Sequence, residues 1–209
     1  MKIIVLANED QQKEILLKQT GKETVIFFTE NFSEILNEDA DAYFILKEDV
    51  NINQLNQFTA KPLFLNSVIS TAKQLQLSKN IFRINGWPTF LQRDIWEIAG
   101  KEDKTIIEIF NALQWKYILV EDEPGFISAR IISMIINEAF FALGDNVSTK
   151  QQIDVAMKLG TNYPFGPFEW SEKIGLKNIY SLLKKLCEND IRYTIAPSLK
   201  QEITFTYKS

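Results

Sequence analysis

Short apolar runs recur through the first part of the chain and then stop, and this change restricts the fold more than any single motif. Seven runs have the length and composition of β-strands: KIIVLA, ETVIFF, DAYFIL, KPLFLNS, NIFRING, DIWEIA and KYILVED. Two stretches between them have helical character, DQQKEILLKQ and KTIIEIFNALQW. Strands that alternate with helical segments indicate a parallel sheet. We therefore predict an α/β domain over residues 1–122.

After EDEPGF the strand-length runs end, and the rest of the chain has helical character. FISARIISMIINEAFFALGD carries apolar residues around most of its circumference, so we expect it to be buried on all sides. Ser148 and Gln151 match a capping box before the helix QQIDVAMKLG, and Gly160 is predicted to end that helix. NIYSLLKKLC predicts a further helix. Residues 123–209 are thus predicted to form an all-α domain, and the fold class is α/β plus all-α.

The composition restricts the chemistry available to the chain. None of its 209 residues is histidine, the usual side chain for proton transfer near neutral pH and a common zinc ligand. Zinc sites and Ser/His triads are therefore excluded, and we expect no metal. Any chemistry has to use carboxylates, lysine, tyrosine or a cofactor. The single cysteine, Cys187, cannot form an internal disulfide and fits a reducing compartment.

Charge and hydropathy restrict the cellular location and the binding partners that we expect. The net charge is −4, with lysine and glutamate intermixed, so no extended positive field selects a phosphate backbone and we expect no nucleic acid partner. No run approaches the roughly 18 uncharged apolar residues of a membrane helix. The opening MKIIVLANED turns acidic where a secretory signal stays apolar. We therefore predict a cytoplasmic protein without a membrane partner.

A chain of motifs in the second part points to a known family. PGF, Arg130, NEA, ID, PFGPFEW and IGL follow one another between residues 124 and 176. In order and spacing they resemble the C-terminal domain of the 3-hydroxyacyl-CoA dehydrogenases. The resemblance implies a Rossmann-like NAD-binding domain before a helical domain of the 6-phosphogluconate-dehydrogenase type. It also implies reversible hydride transfer between the 3-hydroxyl carbon of an acyl-CoA and NAD.

The same resemblance assigns candidate site residues, several of which depart from the family. INGWPTFLQRDIWEI is similar to the family segment that begins with a catalytic histidine and ends with its partner glutamate, which places Asn85 and Glu97 at those positions. An amide neither accepts nor releases a proton near pH 7, so the base would be lost. The substrate-contacting asparagine of the family corresponds to Ala129. Its Ser/Thr-rich substrate-contacting stretch would fall at Asn66 and Ser67.

The turn after the first strand lacks the glycines that a dinucleotide fold uses to bring its backbone close to the pyrophosphate. The candidate cofactor positions are Asn8 and Glu9, followed by Asp10, and no glycine occurs before Gly21. Carboxylates at this turn would repel a diphosphate. The first domain also looks shortened beside that of the family. We therefore expect no bound cofactor, although the family uses NAD.

Some of these features also have purely structural explanations. Glu97 is compatible with an exposed strand residue, and Asn85-Gly86 is a common turn dipeptide. The aromatic residues around the two prolines of the turn are expected to pack a rigid loop: Tyr163, Phe165, Phe168 and Trp170. A cluster of lysines is compatible with CoA phosphates but fits a solvated helix face better: Lys173, Lys177, Lys184 and Lys185.

The apolar helix over residues 126–143 is compatible with the centre of a monomeric bundle or with a subunit interface. The family dimerises through this domain, and Phe140, Phe141 and Leu143 would suit such a surface. The resemblance therefore favours a homodimer through the helical domain.

Two functional hypotheses remain from the sequence. In the first, the chain is a catalytically degenerate 3-hydroxyacyl-CoA dehydrogenase-like protein of fatty-acid metabolism, a pseudoenzyme that binds an acyl-CoA or a protein partner. In the second, it is an active NAD-dependent 3-hydroxyacyl-CoA oxidoreductase with an atypical site. The loss of the base, of the substrate asparagine and of the glycine-rich turn favours the first.

Overall fold

Two structural units, Met1–Phe126 and Ile127–Ser209, make up the chain in the computed structural model. The structure describes residues 1–48, 50–55, 58, 61–101 and 103–206. The sequence places the domain boundary between residues 122 and 123, and in the structure the first unit extends to Phe126. The last three residues of the predicted helical domain, 207–209, lie outside the described residues.

The first unit is a seven-stranded sheet in the order β2-β1-β3-β4-β5-β6-β7. Its strands are β1 (Lys2–Leu6), β2 (Val25–Thr29), β3 (Ala42–Ile45), β4 (Leu63–Asn66), β5 (Ile81–Ile84), β6 (Ile95–Ala99) and β7 (Lys116–Val120). The helices of this unit are α1 (Glu9–Leu16), α2 (Phe32–Asn37), α3 (Ile52–Leu55), α4 (Ala72–Leu75) and α5 (Lys104–Leu113). Each of the seven strand-like runs contains one strand, which confirms the predicted α/β class.

One pair of strands departs from the predicted parallel sheet. β5 and β6 run antiparallel, whereas all the other neighbouring strands are parallel. Residues 85–94 connect them without a helix. A parallel connection needs a crossover of about a dozen residues or more, so this shorter segment returns the chain in the opposite direction. The short helices α2, α3 and α4 were also not predicted, because four to six residues carry little periodic signal.

Apolar layers cover both faces of the sheet. All four residues of β3 and all four of β4 are buried, as in strands that are covered on both sides. On one face, Phe44 and Phe64 stack with their ring centroids 4.6 Å apart and meet Phe110 of α5. On the other face, Tyr43 and Leu65 belong to a second buried cluster. The carboxyl ends of β1 to β5 lie along one edge of this sheet, and those of β6 and β7 lie along the other.

The second unit is all-α, as predicted. Its helices are α6 (Ser128–Gly144), α7 (Lys150–Thr161), α8 (Pro167–Ile174), α9 (Leu176–Cys187) and α10 (Pro197–Thr206), with a 3-10 turn at Ile191–Tyr193. The side chain of Asn137 on α6 fixes the segment before α10, because it donates to Thr194 O (2.9 Å) and accepts from Ala196 N (2.9 Å). Among the described residues, no helix is both long and apolar enough to cross a membrane.

Two expectations for α6 are wrong. The helix is not buried on all sides, since the side chain of Ile131 is 53% exposed. Phe140 is not a surface residue of this unit: it is fully buried, and its ring meets that of Phe168 edge-on at 5.0 Å. The apolar circumference of the sequence did not show which side faces the neighbouring helices, because that depends on their packing.

The start and end of α7 also differ from the prediction. Thr149, and not Ser148, is the N-cap, and it forms a capping box with Gln152. Thr149 has the extended backbone conformation that this position requires, and its hydroxyl accepts the N–H of Gln152 at 3.3 Å. Gly160 lies inside the helix, which ends at Thr161 and is followed by the C-cap Asn162 in the left-handed conformation (φ 56°). Asn tolerates that conformation better than most residues do.

Residues of the ID and PFGPFEW motifs together stabilise the start of α8. A carboxylate oxygen of Asp154 on α7 accepts the N–H of Phe168 at 2.8 Å, and Glu169 accepts the N–H of Gly166 at 2.9 Å. A Cβ atom on Gly166 would lie 2.2 Å from Asp154 Oδ1, so this position needs glycine. Burial raises the pKa of Asp154, against the hydrogen bonds from the start of α8. These motifs are therefore structural.

Replacing Asp154 with alanine should destabilise the helical unit. The substitution removes the acceptor for the Phe168 N–H, so we expect the free energy of unfolding to fall by about 0.5–2 kcal/mol, the usual cost of losing a helix cap. Urea unfolding, followed by circular dichroism, measures the change. Asp145→Ala is the matched control, since it removes an exposed aspartate from the same unit and should change stability by less than about 0.5 kcal/mol.

Asp154→Asn separates the contribution of the hydrogen-bond acceptor from that of the ionisable carboxyl group. Because the folded-state pKa of Asp154 is raised, the part of the stability that is linked to its protonation is fully present below the unfolded pKa of about 3.9 and is lost as the pH rises through the folded pKa. Asparagine keeps the acceptor without the charge, so the variant should lose this part of the pH dependence. Equal losses for Asp154→Ala and Asp145→Ala would contradict the assigned cap.

Candidate functional site

Asn85 and Glu97 come together where β5 and β6 pair. The antiparallel register sets Ile84 against Ile98 and continues to Asn85 opposite Glu97. Asn85 donates its backbone N–H to Glu97 O at 3.4 Å and its side-chain Nδ2 to Glu97 Oε2 at 3.1 Å. Both residues are buried, with exposed fractions of 6% and 8%. The structural alternative, in which Glu97 is an exposed strand residue, is therefore wrong.

Two further charged residues, which sequence reasoning missed, surround this pair. Arg93 lies in the β5–β6 loop, where burial lowers the pKa of its guanidinium while the carboxylates of Glu97 and Glu14 act in the opposite direction. Glu14 on α1 accepts the N–H groups of Thr89 (2.6 Å) and Leu91 (3.2 Å). Helix α1 therefore holds the loop that follows β5. The motif match could have included Arg93, but nothing in the sequence connected Glu14 to the loop.

The loop is held in an uncommon conformation at Thr89. Its φ of +75° is rare for a β-branched side chain, and such strain persists only where the surroundings impose it. Lys18 of the α1 region donates to Arg93 O, which adds a second attachment next to that of Glu14. Trp87 is buried in the same loop. The positions of Asn85 and Glu97 are therefore fixed by packing and hydrogen bonds from α1.

The chemistry of the pair differs from that of an acid–base dyad. Asn85 presents an amide N–H to the carboxylate of Glu97. An amide can orient a carboxylate, but it cannot take a proton from a hydroxyl near neutral pH. A positioned general base typically contributes about 10²–10⁴ in rate. That contribution is not available from the Asn85 side chain.

Asn66 and Ser67, the candidate substrate-contacting residues, make hydrogen bonds within their own unit. Asn66 is buried, donates Nδ2 to Leu46 O at 2.9 Å and accepts the N–H of Gly86 at 3.0 Å. Ser67 donates its hydroxyl to Ser70 O at 2.9 Å. Asn66 thus joins the ends of β3, β4 and β5 directly beside Asn85. A Cβ atom on Gly86 would lie 2.9 Å from the Asn66 side chain, so the close approach needs glycine.

Ala129, which the resemblance predicts at the position of the family's substrate asparagine, lies on α6 of the second unit. Its methyl group is fully buried. It has no polar group with which to bind a substrate carbonyl.

The candidate cofactor position follows β1. In a doubly wound sheet, ligands bind at the carboxyl ends of the strands where the strand order reverses, which here is between β1 and β3. Asn8 is the N-cap of α1: its side chain accepts the N–H of Gln11 at 2.9 Å, and Gln11 Oε1 accepts the N–H of Asn8 at 3.1 Å. Gln11 Nε2 continues to Leu46 O after β3, at 2.9 Å.

This arrangement does not fit the diphosphate of NAD. The backbone N–H groups of Asn8 and Gln11 are already paired, and the buried Gln11 side chain reaches from α1 to the end of β3. The exposed carboxylates of Glu9 and Asp10 occupy the first turn of α1, where a phosphate would need positive potential. Asn8 and Glu9 therefore stabilise the helix start instead of forming a phosphate cradle.

Arg83 is a further buried residue that sequence reasoning missed. It donates Nε to Ser67 O at 2.9 Å and pairs with Asp122, which follows β7. Burial would raise the pKa of Asp122, but the hydrogen bonds from Ala72 N–H and Arg83 together lower it. The guanidinium thus connects β5 to the segments that follow β4 and β7. An arginine inside the apolar run NIFRING was the available signal, because a buried arginine needs an acidic partner.

Comparisons with known proteins agree with this architecture. The family model described as "3-hydroxyacyl-CoA dehydrogenase, C-terminal domain" matches residues 125–204. The chain is 46% identical over 74 residues to the 3-hydroxyadipyl-CoA dehydrogenase of Escherichia coli K12, which covers 35% of this chain and 16% of that protein. It is 35% identical over 101 residues to the 3-hydroxybutyryl-CoA dehydrogenase of Clostridioides difficile, which covers 47% of this chain and 36% of that protein.

Solved structures show the same fold. The (S)-3-hydroxybutyryl-CoA dehydrogenase PaaH1 of Ralstonia eutropha superposes with a TM-score of 0.69 at 20% identity, over 87% of this chain and 71% of that one. FadB2 of M. tuberculosis superposes with a TM-score of 0.72 at 14% identity, over 98% and 93% of the two chains. At these identities the likeness concerns the fold alone.

An α/β unit followed by a helical unit is thus the fold that this chain shares with these dehydrogenase structures. Residues 125–204 match the C-terminal domain of the 3-hydroxyacyl-CoA dehydrogenases, and the chain is similar to members of that family. The chain matches between 16% and 36% of the length of the first curated relatives.

Replacing Asn85 with aspartate tests the geometry of the pair. The substitution sets a second carboxylate against Glu97, where an N–H now lies 3.1 Å from the oxygen. Like charges disfavour ionisation and raise the pKa of the pair. We expect a loss of about 1–3 kcal/mol in the free energy of unfolding at pH 7, which shrinks as the pH falls through the raised pKa. Urea unfolding at pH 5 and pH 8 measures both effects.

The matched control for Asn85→Asp is the double variant Asn85→Asp with Glu97→Gln. It restores one amide and one carboxylate at the same contact, so it should regain most of the stability. If the double variant is as unstable as the single one, or if the loss does not change with pH, the hydrogen bond between these side chains is wrongly assigned.

Proposed function

We propose that this chain is a 3-hydroxyacyl-CoA dehydrogenase-like pseudoenzyme of fatty-acid metabolism, which binds an acyl-CoA or a protein partner without turnover. The observation that supports this most is the hydrogen bond from Asn85 Nδ2 to Glu97 Oε2. Oxidation of an alcohol requires a base that takes the hydroxyl proton while hydride leaves. An amide at this position cannot act as that base.

The start of α1 supports the same proposal, because it bears on the binding of NAD. Gln11 links α1 to the end of β3 through Leu46 O, and Glu9 and Asp10 bring negative charge to the helix start. A diphosphate would have to break the capping box and approach these carboxylates. Loss of nucleotide binding and loss of the base are separate changes, and both act against turnover.

An acyl-CoA is the first ligand class to consider. Relatives of the chain carry the names 3-hydroxybutyryl-CoA and 3-hydroxyadipyl-CoA dehydrogenase. The helical unit is where the family model matches. We take this retention of the C-terminal domain, beside an altered α/β unit, as support for binding without catalysis.

A cytoplasmic homodimer through the helical unit is part of the proposal. Exposed apolar side chains on α6 and α7 support an interface there: Ile131, Val155 and Leu159. Phe140 does not contribute, because it is buried within the unit. A single-particle mass measurement at micromolar concentration, with Leu159→Lys as the variant, would test this interface.

Two titrations of the chain test the proposed loss of turnover. NADH fluorescence should show no saturable change, and acetoacetyl-CoA should cause no NADH consumption above the uncatalysed rate. Isothermal calorimetry with acetoacetyl-CoA then reports whether the acyl-CoA itself binds. Saturable NADH binding together with acetoacetyl-CoA-dependent NADH loss would instead establish the active oxidoreductase with an atypical site.

Asn85→His tests whether the general base is the only component of the catalytic site that is missing. If it were, restoring an imidazole beside Glu97 would raise the rate by about 10²–10⁴. We expect no gain, because the α1 turn does not fit the diphosphate either. Asn85→Gln is the matched control, since it changes the side-chain length and keeps the amide. A gain with His and none with Gln would mean that the rest of the catalytic site is intact.

A further inference from the structure

Asn85 and Gly86 form the one Asn-Gly pair of the sequence, and this pair has a chemistry that the proposed function does not use. The backbone nitrogen of Gly86 can attack the side-chain carbonyl of Asn85, because glycine has no Cβ atom to obstruct the approach. A bond forms between Gly86 N and Asn85 Cγ, and the bond from Cγ to Nδ2 breaks. The proton of the Gly86 N–H passes to solvent, and Nδ2 takes one up and leaves as ammonia. Water then opens the cyclic imide to aspartate or isoaspartate.

The structure holds every group that takes part in this reaction. Gly86 donates its N–H to Asn66 Oδ1 at 3.0 Å. Asn85 donates Nδ2 to Glu97 Oε2 at 3.1 Å and accepts the N–H of Trp87 with Oδ1 at 3.4 Å. The cyclic imide contains neither the Nδ2 group nor the Gly86 N–H. Its formation therefore removes two of these three hydrogen bonds, and the closed structure opposes it.

Burial also withholds the base and the water that the reaction needs. Asn85 and Asn66 are each 6% exposed, and Gly86 is buried. Gly86 N has to lose its proton to react, and the amide oxygen of Asn66 does not take up a proton near neutral pH. Solvent hydroxide therefore has to reach Gly86 N, and a water molecule has to reach the imide. Both steps require this part of the structure to open.

Asn66 is the residue that closes the site from the side of β4. A Cβ atom on Gly86 would lie 2.9 Å from the Asn66 side chain, so the two residues are in direct contact. Asn66 Nδ2 donates to Leu46 O at 2.9 Å, which fixes the amide with its Oδ1 directed at Gly86 N. This contact is separate from the pair of Asn85 and Glu97. The two can therefore be altered independently.

We propose that Asn85-Gly86 is a one-way modification site, which deamidates when the carboxyl end of β5 opens and whose acidic product prevents that end from closing again. Parts of a folded protein open without global unfolding, and only the open fraction would react. The inference concerns the chemistry of the chain itself. It does not depend on whether an acyl-CoA or NAD binds.

Neither product of the reaction fits the closed site. Aspartate at position 85 replaces the Nδ2 donor by a carboxylate oxygen, which sets a second buried carboxylate against Glu97. Like charges at this distance oppose each other. Isoaspartate lengthens the backbone by one methylene before Gly86, which displaces Gly86 N from Asn66 Oδ1. Both products lose the hydrogen bond from Asn85 Nδ2, so the end of β5 stays open at neutral pH.

Mass spectrometry of one tryptic peptide tests whether the fold controls the reaction. Trypsin cleaves after Arg83 and Arg93, and the peptide 84–93 contains Asn85 as its one asparagine. The full chain is kept at pH 8, either native or unfolded in urea, and sampled over days. We expect deamidation to be at least about tenfold slower in the native chain, because only its open fraction reacts. Asn85→Gln is the control without reaction, since its longer side chain does not close the five-membered ring.

Asn66→Ala tests the contact that closes the site. It removes the acceptor of the buried Gly86 N–H, so the native rate of deamidation should rise by about 5- to 30-fold while the unfolded rate stays the same. Asn80→Ala is the matched control. It removes the hydrogen bond from Asn80 Nδ2 to Lys61 O (2.7 Å) at the other end of β5, and it should raise the native rate less. The comparison of native and unfolded wild-type chain stands without either variant.

Asn85→Asp reproduces one product and tests whether the change is one-way. Amide hydrogen exchange over residues 84–91 at pH 8 reports the open fraction of this segment. We expect exchange to be about 5- to 30-fold faster than in the wild-type chain. The double variant Asn85→Asp with Glu97→Gln removes the repulsion, so it should return to near the wild-type rate.

Several results would contradict the proposal. No conversion in the unfolded chain would mean that the pair does not react, and equal rates in the native and unfolded chain would mean that the fold does not protect it. Equal native rates in Asn66→Ala and Asn80→Ala would remove Asn66 as the closing residue. Exchange in Asn85→Asp as slow as in the wild-type chain would show that the product closes, so the change would not be one-way.

Discussion

The antiparallel pairing of β5 and β6 is the constraint on which the site depends. It sets Asn85 directly opposite Glu97, and the loop that joins the two strands is fixed from α1 by Glu14. The carboxylate is buried, so its partner determines its chemistry. With an amide as that partner, the pair is a stable hydrogen bond within the sheet. The same geometry would orient a base if the partner were an imidazole.

The end of β3, beside the strand-order reversal, is held by side chains from two other elements. Leu46 O accepts hydrogen bonds from both Gln11 Nε2 and Asn66 Nδ2, which tie α1 and β4 to the end of β3. Buried polar groups need such partners, and here they find them inside the protein. These two hydrogen bonds therefore hold three elements of the α/β unit together.

The helical unit carries the match to the family model, and its motif residues stabilise the fold of that unit. Asp154 caps α8 and requires glycine at Gly166, and Asn137 holds the segment before α10. These motif residues act on the fold of their own unit. Their contacts stabilise the unit whether or not the chain carries out hydride transfer. The match to the family model therefore concerns the fold and does not by itself show activity.

Local pattern in the sequence determined the seven strands, the helix α5 and the all-α second unit, because period and length are properties of neighbouring residues. It also determined which positions correspond to the family's site. Only the tertiary structure decided that β6 reverses, that Arg83 pairs with Asp122, and that Phe140 faces inward. It alone showed that Glu14 and Gln11 reach across the fold to Thr89 and Leu46. These contacts join residues far apart in the chain, and burial and partner choice depend on packing that no local period encodes.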